Sequence, residues 1–118
     1  MTTLYWKSTC TTCREVRSAL KARPGGADLA EKNYSKDPLT EADVRAIVAA
    51  SDVPTLLNAT HETAKARGWK AAPPDAATFI AAAFVEPNLL RRPILLVDTP
   101  AGPRAWVHRA CLDAPVGR

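Results

Sequence analysis

The apolar positions of this chain change period several times, and each change marks an element. Thr3-Leu4-Tyr5-Trp6 reads as a short strand entering a core. Lys7-Ser8-Thr9 is a polar loop. From Thr12 the small and apolar residues Cys13, Val16, Ala19 and Leu20 recur at helical spacing, with Arg14, Glu15, Arg17 and Ser18 on the other face. Pro24-Gly25-Gly26 stops that helix. Leu29 to Tyr34 is a weak strand diluted by Glu31, Lys32 and Asn33, a polarity that suits a sheet edge.

Pro38-Leu39-Thr40 opens a second helix, with Thr40 as N-cap, Asp43 near the capping-box position, and Val44, Ile47 and Val48 facing inward. Asp52-Val53-Pro54 breaks it. Leu56-Leu57 and then Thr60 to Arg67 read as short helical turns ending at Gly68. After the connector Ala71-Ala72-Pro73-Pro74, Asp75 caps a helix whose inward residues are expected to be Phe79, Ile80, Ala83 and Phe84, with Pro87 as its end. Ile94-Leu95-Leu96-Val97 is continuous and apolar, as expected of a strand buried on both faces. The turn signal Thr99-Pro100-Ala101-Gly102 then leads to Ala105-Trp106-Val107 as the second arm of an antiparallel hairpin. A short helix is expected around Ala110 to Leu112. The order β-α-β, helical insertion, β-β-α predicts a single α/β domain over residues 1–118, thioredoxin-like, with a mixed four-stranded sheet. Its first strand would be central, and an insertion of about residues 40–86 would roof the carboxyl end of that strand.

At 118 residues the chain can bury a core without disulfide staples. With 47% hydrophobic and 24% charged residues it is not composed like a disordered segment. Three cysteines do not make a secreted disulfide scaffold, and no secretory leader or membrane-length apolar run is visible. A reducing cytoplasm is therefore the expected location. The formal charge of +4 is spread along the chain, so nucleic acid is not the expected partner, although the charge would help steer an anion.

The chemistry concentrates at Cys10-Thr11-Thr12-Cys13, between the first strand and the first helix. A cysteine just ahead of a helix faces unpaired backbone N–H groups and the positive end of the helix dipole. Both favour the thiolate, so Cys10 is the expected nucleophile. Cys13, one turn on, can close a disulfide with it. The N–H groups of the loop through Thr11 and Thr12 can cradle an oxyanion beside the sulfur. Half a zinc site and incidental packing are the alternatives. Zinc usually takes four ligands, and Cys111, His61 and His108 are scattered, so no metal is expected.

A second constellation is Arg91-Arg92-Pro93, directly before the apolar strand. Proline cannot donate to a ladder and holds the preceding residue extended, which aims Arg92 away from the strand. If that strand lies beside the first, the guanidinium can approach the cysteine loop and bind an oxyanion through its planar fork. Solvated surface charge is the competing reading. Cys111, among apolar neighbours, is expected to be structural. His61 and His108 read as surface or internally satisfied residues, and Trp6, Trp69 and Trp106 as packing anchors.

Thr3-Leu4-Tyr5, Cys10-x-x-Cys13-Arg14, Leu56-Leu57-Asn58 and Leu90-Arg91-Arg92-Pro93-Ile94 together resemble the ArsC/Spx family across nearly the whole chain. That family includes glutaredoxin-like arsenate reductases, Spx transcriptional regulators and YffB-type proteins. The resemblance implies an arsenate-reductase-like thiol oxidoreductase in which Cys10 attacks arsenate and Arg92 holds the anion or its adduct. Pro93, often cis in the family, would face the cysteine, while Arg104 supplies a further arginine and Asn58 belongs to the binding set. No bound cofactor is implied; thioredoxin, or glutathione with glutaredoxin, would donate electrons. The family arginine after Leu-Leu-Asn is absent from Asn58-Ala59-Thr60-His61, which leaves that anion contact missing or supplied by His61, Lys65 or Lys7. Cys13 is similar to the Spx branch, or to reductases that resolve internally and are recycled by thioredoxin. A Spx-like redox regulator that binds RNA polymerase and a generic dithiol reductase remain alternatives.

Overall fold

The computed structural model describes residues 2–116, which divide into two compact units. Residues up to 38 and from 92 onward form the first, and residues 39–91 the second. The first unit carries the sheet: β1 (Thr2–Trp6), β2 (Ala30–Asn33), β3 (Ile94–Thr99) and β4 (Gly102–Val107), in the order β2-β1-β3-β4. β1 runs parallel to β2 and antiparallel to β3, and β3–β4 is an antiparallel hairpin. The sheet is thus mixed and four-stranded with β1 internal, as the thioredoxin-like reading requires. The polar strand β2 lies at an edge, where charged side chains are tolerated.

Register decides what meets at the carboxyl end of β1. Tyr5 pairs with Ile94 and Ile94 with Val107, so the start of β3 and the end of β4 lie beside the end of β1. The loop after β1 and the residues before β3 therefore share that edge. On one face, Leu4, Leu95 and Val97 pack with Val16 and Leu20 of α1 (Thr11–Lys21), and with Leu29, Cys111 and Ala114. The 3-10 helix His108–Asp113 packs against α1 on the same side. On the other face Tyr5, Ile94 and Val107 are also buried, while Leu96 is only half-buried, so β3 is not enclosed along its whole length. Gly25 and Gly26 end α1 for two reasons. Gly25 has φ 77°, and a Cβ on Gly26 would sit 2.4 Å from the Leu20 carbonyl oxygen.

The second unit is helical: α2 (Glu41–Ala49), α3 (Val53–Leu56), α4 (Glu62–Ala66) and α5 (Ala76–Val85). Thr40 and Asp43 form the reciprocal capping box, an arrangement that stabilises a helix start by about 1 kcal/mol. Pro54 does not simply break structure. It stands in the first turn of α3 behind the Asp52 cap, where its missing N–H costs nothing. α5 corrects one expectation: Phe79 and Ala83 are buried, but Ile80 is half-buried and Phe84 is 45% exposed. Ala-Ala-Thr-Phe-Ile-Ala-Ala-Ala-Phe-Val is apolar all round, so its period does not choose a face. Among the described residues no helix is long and apolar enough to cross a membrane.

Candidate active site

Cys10 is the N-cap of α1, with extended backbone (φ −102°, ψ 121°) and its sulfur accepting the Cys13 N–H at 3.3 Å. This is the role an Asp or Ser plays at other helix starts, taken here by a thiol. The Cys10 carbonyl accepts the Arg14 N–H, the first intrahelical bond. The N–H groups of Thr11 and Thr12 precede that bond and point out of the helix end. No acidic residue occupies the first turn to oppose a negative charge.

Polar bonds shape the loop that carries Cys10. Its N–H donates to the Lys7 carbonyl at 3.0 Å. Arg14 donates to the Ser8 carbonyl at 2.8 Å and to the Thr11 hydroxyl at 3.2 Å, so Thr11 is exposed but engaged. Asn33, at the end of β2, accepts the Ser8 N–H at 3.1 Å and donates to the Ser8 hydroxyl at 3.1 Å. From sequence alone Asn33 reads only as dilution of a strand. Its usable signal was position, the last residue of the strand parallel to β1.

Arg92 and Pro93 directly precede β3, joined by a cis peptide, with Pro93 buried. The Arg92 guanidinium lies within hydrogen-bonding reach of the Cys10 sulfur and near enough to Cys13 and Tyr34 to act on both. Its Nε is buried without a partner, as is the hydroxyl of Tyr34, whose residue is 7% exposed. Orphaned buried donors of this kind call for a ligand or water. Lys7 places its ammonium over the Tyr34 ring, 5.8 Å from the centroid.

The two motif thiols are driven in opposite directions. Partial burial of Cys10 works against ionisation, but hydrogen bonds from Cys13 and the bond and charge of Arg92 outweigh it, leaving Cys10 below the usual thiol value. Cys13 is 0% exposed, and burial pushes its thiol up to about 12; the neighbouring Cys10 adds to the rise, while a backbone bond from Lys7 opposes it. Burial also raises the Tyr34 phenol, with a further push from Cys13, so it stays neutral. Cys111 is fully buried and likewise pushed up to about 12, mainly by burial.

Within the sheet unit, one expected participant stands away from the cysteine loop. Arg104 pairs with Val97, three residues along the ladder from the Ile94 end, a separation of about 10 Å. Its guanidinium stacks over Trp106 at 5.1 Å, so the sheet does not bring it to Cys10. The reason is strand length: β4 begins at Gly102 and takes Arg104 into its middle. Within the helical unit, Asn58 donates to the Asn88 carbonyl and accepts from the Thr60 N–H and hydroxyl. His61 caps α4 through Nδ1. Arg91, beside Arg92 in sequence, donates to the Thr55 carbonyl. Among the described residues no three His, Cys, Asp or Glu side chains gather as metal ligands.

A family model described as the ArsC family matches residues 5–101. Comparison with curated proteins finds no match. Three solved structures share the fold over most of their length. The YFFB (PA3664) protein is 21% identical, with TM-score 0.74 and 100% of both chains covered. An arsenate reductase (ArsC) related protein from Brucella melitensis is 21% identical, with TM-score 0.64 over 97% of this chain and 92% of that one. An arsenate reductase from Vibrio cholerae is 17% identical, with TM-score 0.67 over 87% and 86%. With its family match spanning most of the sequence, including the cysteine loop and the Arg92–Pro93 turn, the chain belongs to the ArsC family.

Proposed function

We propose that this protein is an arsenate-reductase-like thiol oxidoreductase in which Cys10 attacks the oxyanion and Cys13 resolves the adduct. The observation that carries the reading is Cys10 at the cap of α1, its sulfur bonded by the Cys13 N–H with the Arg92 guanidinium in reach. The thiolate attacks As(V); a sulfur–arsenic bond forms and one oxygen leaves as water after taking up protons. Arg92 and the N–H groups of Thr11 and Thr12 neutralise charge as it develops on the oxyanion. Cys13 then attacks the Cys10 sulfur and releases its proton to solvent. The disulfide forms, the sulfur–arsenic bond breaks with its electron pair on arsenic, and arsenite departs. A thioredoxin-type dithiol reduces the Cys10–Cys13 bond and restores the enzyme.

Arg104, stacked over Trp106, is given no part in this scheme. Arsenate-dependent NADPH oxidation, measured side by side with thioredoxin and glutaredoxin systems, tests the reading. Turnover with thioredoxin is the expected result. Disulfide reduction without arsenate consumption would leave a general dithiol reductase instead.

A further inference from the structure

The Arg92 Nε is buried and meets no protein partner, so the backbone that carries this side chain bears on its direction. The adjoining backbone supplies a candidate. The residue that follows β4 and starts the last 3-10 helix is His108, whose φ is 57°, a left-handed conformation uncommon in residues other than glycine. That turn brings two donors of one residue onto two successive carbonyls. The His108 N–H donates to the Pro93 oxygen at 2.8 Å, and the ring Nδ1 lies 3.1 Å from the Arg92 oxygen. A carbonyl can only accept, so Nδ1 carries a proton. The Cys111 sulfur lies nearby, 3.3 Å from the Trp106 oxygen and 3.5 Å from the Pro93 oxygen.

We propose that His108 is a positioning residue for Arg92: its ring and backbone donors clamp the Arg92 and Pro93 carbonyls and so aim the guanidinium at the Cys10 sulfur. This deepens the proposed thiol chemistry and rests on Arg92 serving that sulfur. The clamp explains why an unfavourable backbone conformation is kept at a residue bearing a side chain.

Glycine and asparagine both accept this φ, but only asparagine carries a donor, and its amide nitrogen stands as many bonds from the backbone as His Nδ1 does. His108→Gly and His108→Asn therefore isolate the side-chain bond without disturbing the turn. The reading is the rate of Cys10 alkylation by iodoacetamide at about pH 6.5, where thiolate fraction controls it. His108→Gly should slow this reaction by about three- to tenfold, approaching Arg92→Ala, while His108→Asn stays within about twofold of the parent. In an Arg92→Ala background His108→Gly should have no further effect, since its influence passes through Arg92; a merely structural loss would add. Equal rates for the parent and His108→Gly, or additive losses, would overturn the clamp. The outcome is independent of arsenate. If the protein consumes no arsenate but these shifts appear, the clamp stands and the proposed activity falls; arsenate turnover with unshifted Cys10 reactivity gives the reverse.

Discussion

The rim of the sheet around Cys10 and the interior just beneath it hold the same functional group in opposite states. At the rim, a thiol takes an N–H at a helix start and faces an arginine, and ionisation becomes easier. Three residues on, Cys13 is enclosed and holds its proton up to about 12, as does Cys111 against the cis turn. Chemistry here is assigned by surroundings. One sulfur is prepared to attack, its neighbour to wait until a disulfide can form, and the third to hold structure.

Several experiments can break that contrast. The largest effect is expected from Cys10→Ser, which should abolish arsenate turnover because no other thiol is activated. Cys13→Ser should also stop multiple turnover but leave the first attack intact, so mass spectrometry should find arsenic retained on Cys10. Retention of full turnover by Cys13→Ser would remove Cys13 from the resolving role. Arg92→Ala removes one charge-assisted contact of about 2–3 kcal/mol, and kcat/KM for arsenate should fall roughly 30- to 200-fold. Unchanged kinetics would take Arg92 out of the site.

The smallest effects sharpen the interior half. A thiol whose folded pKa is raised lends stability that is whole below its unfolded value and lost as pH rises. Cys13 and Cys111, both near 12, should therefore lower the urea midpoint as pH climbs from about 8.5. Cys111→Ala should flatten part of that decline while costing about 1–2 kcal/mol of stability near neutrality, from lost burial and a lost S–H bond. A pH dependence identical to the parent's would mean that Cys111 is not shielded as described.

What was legible in the sequence was what local rules encode. The cysteine pair before a helical period, the Thr40 cap and the Arg92–Pro93 turn before an apolar strand all carry their own signals. What stayed hidden depends on register or backbone hand. Arg104 could be placed only once β4 was known to start at Gly102, because three residues of ladder separate it from the site edge. Phe84 and Ile80 could not be oriented on a helix that is apolar on every side. The His108 clamp requires a positive φ at a residue that advertises none, and the Asn33 brace requires knowing that β2 lies beside β1.

The most direct measurement is the pH profile of alkylation, resolved residue by residue with mass spectrometry in the reduced protein. Cys10 should reach half its maximal rate below the usual thiol value, while Cys13 and Cys111 stay unlabelled through neutral pH. Labelling of Cys10 that begins only at or above that value, or labelling of Cys13 alongside it, would contradict the account.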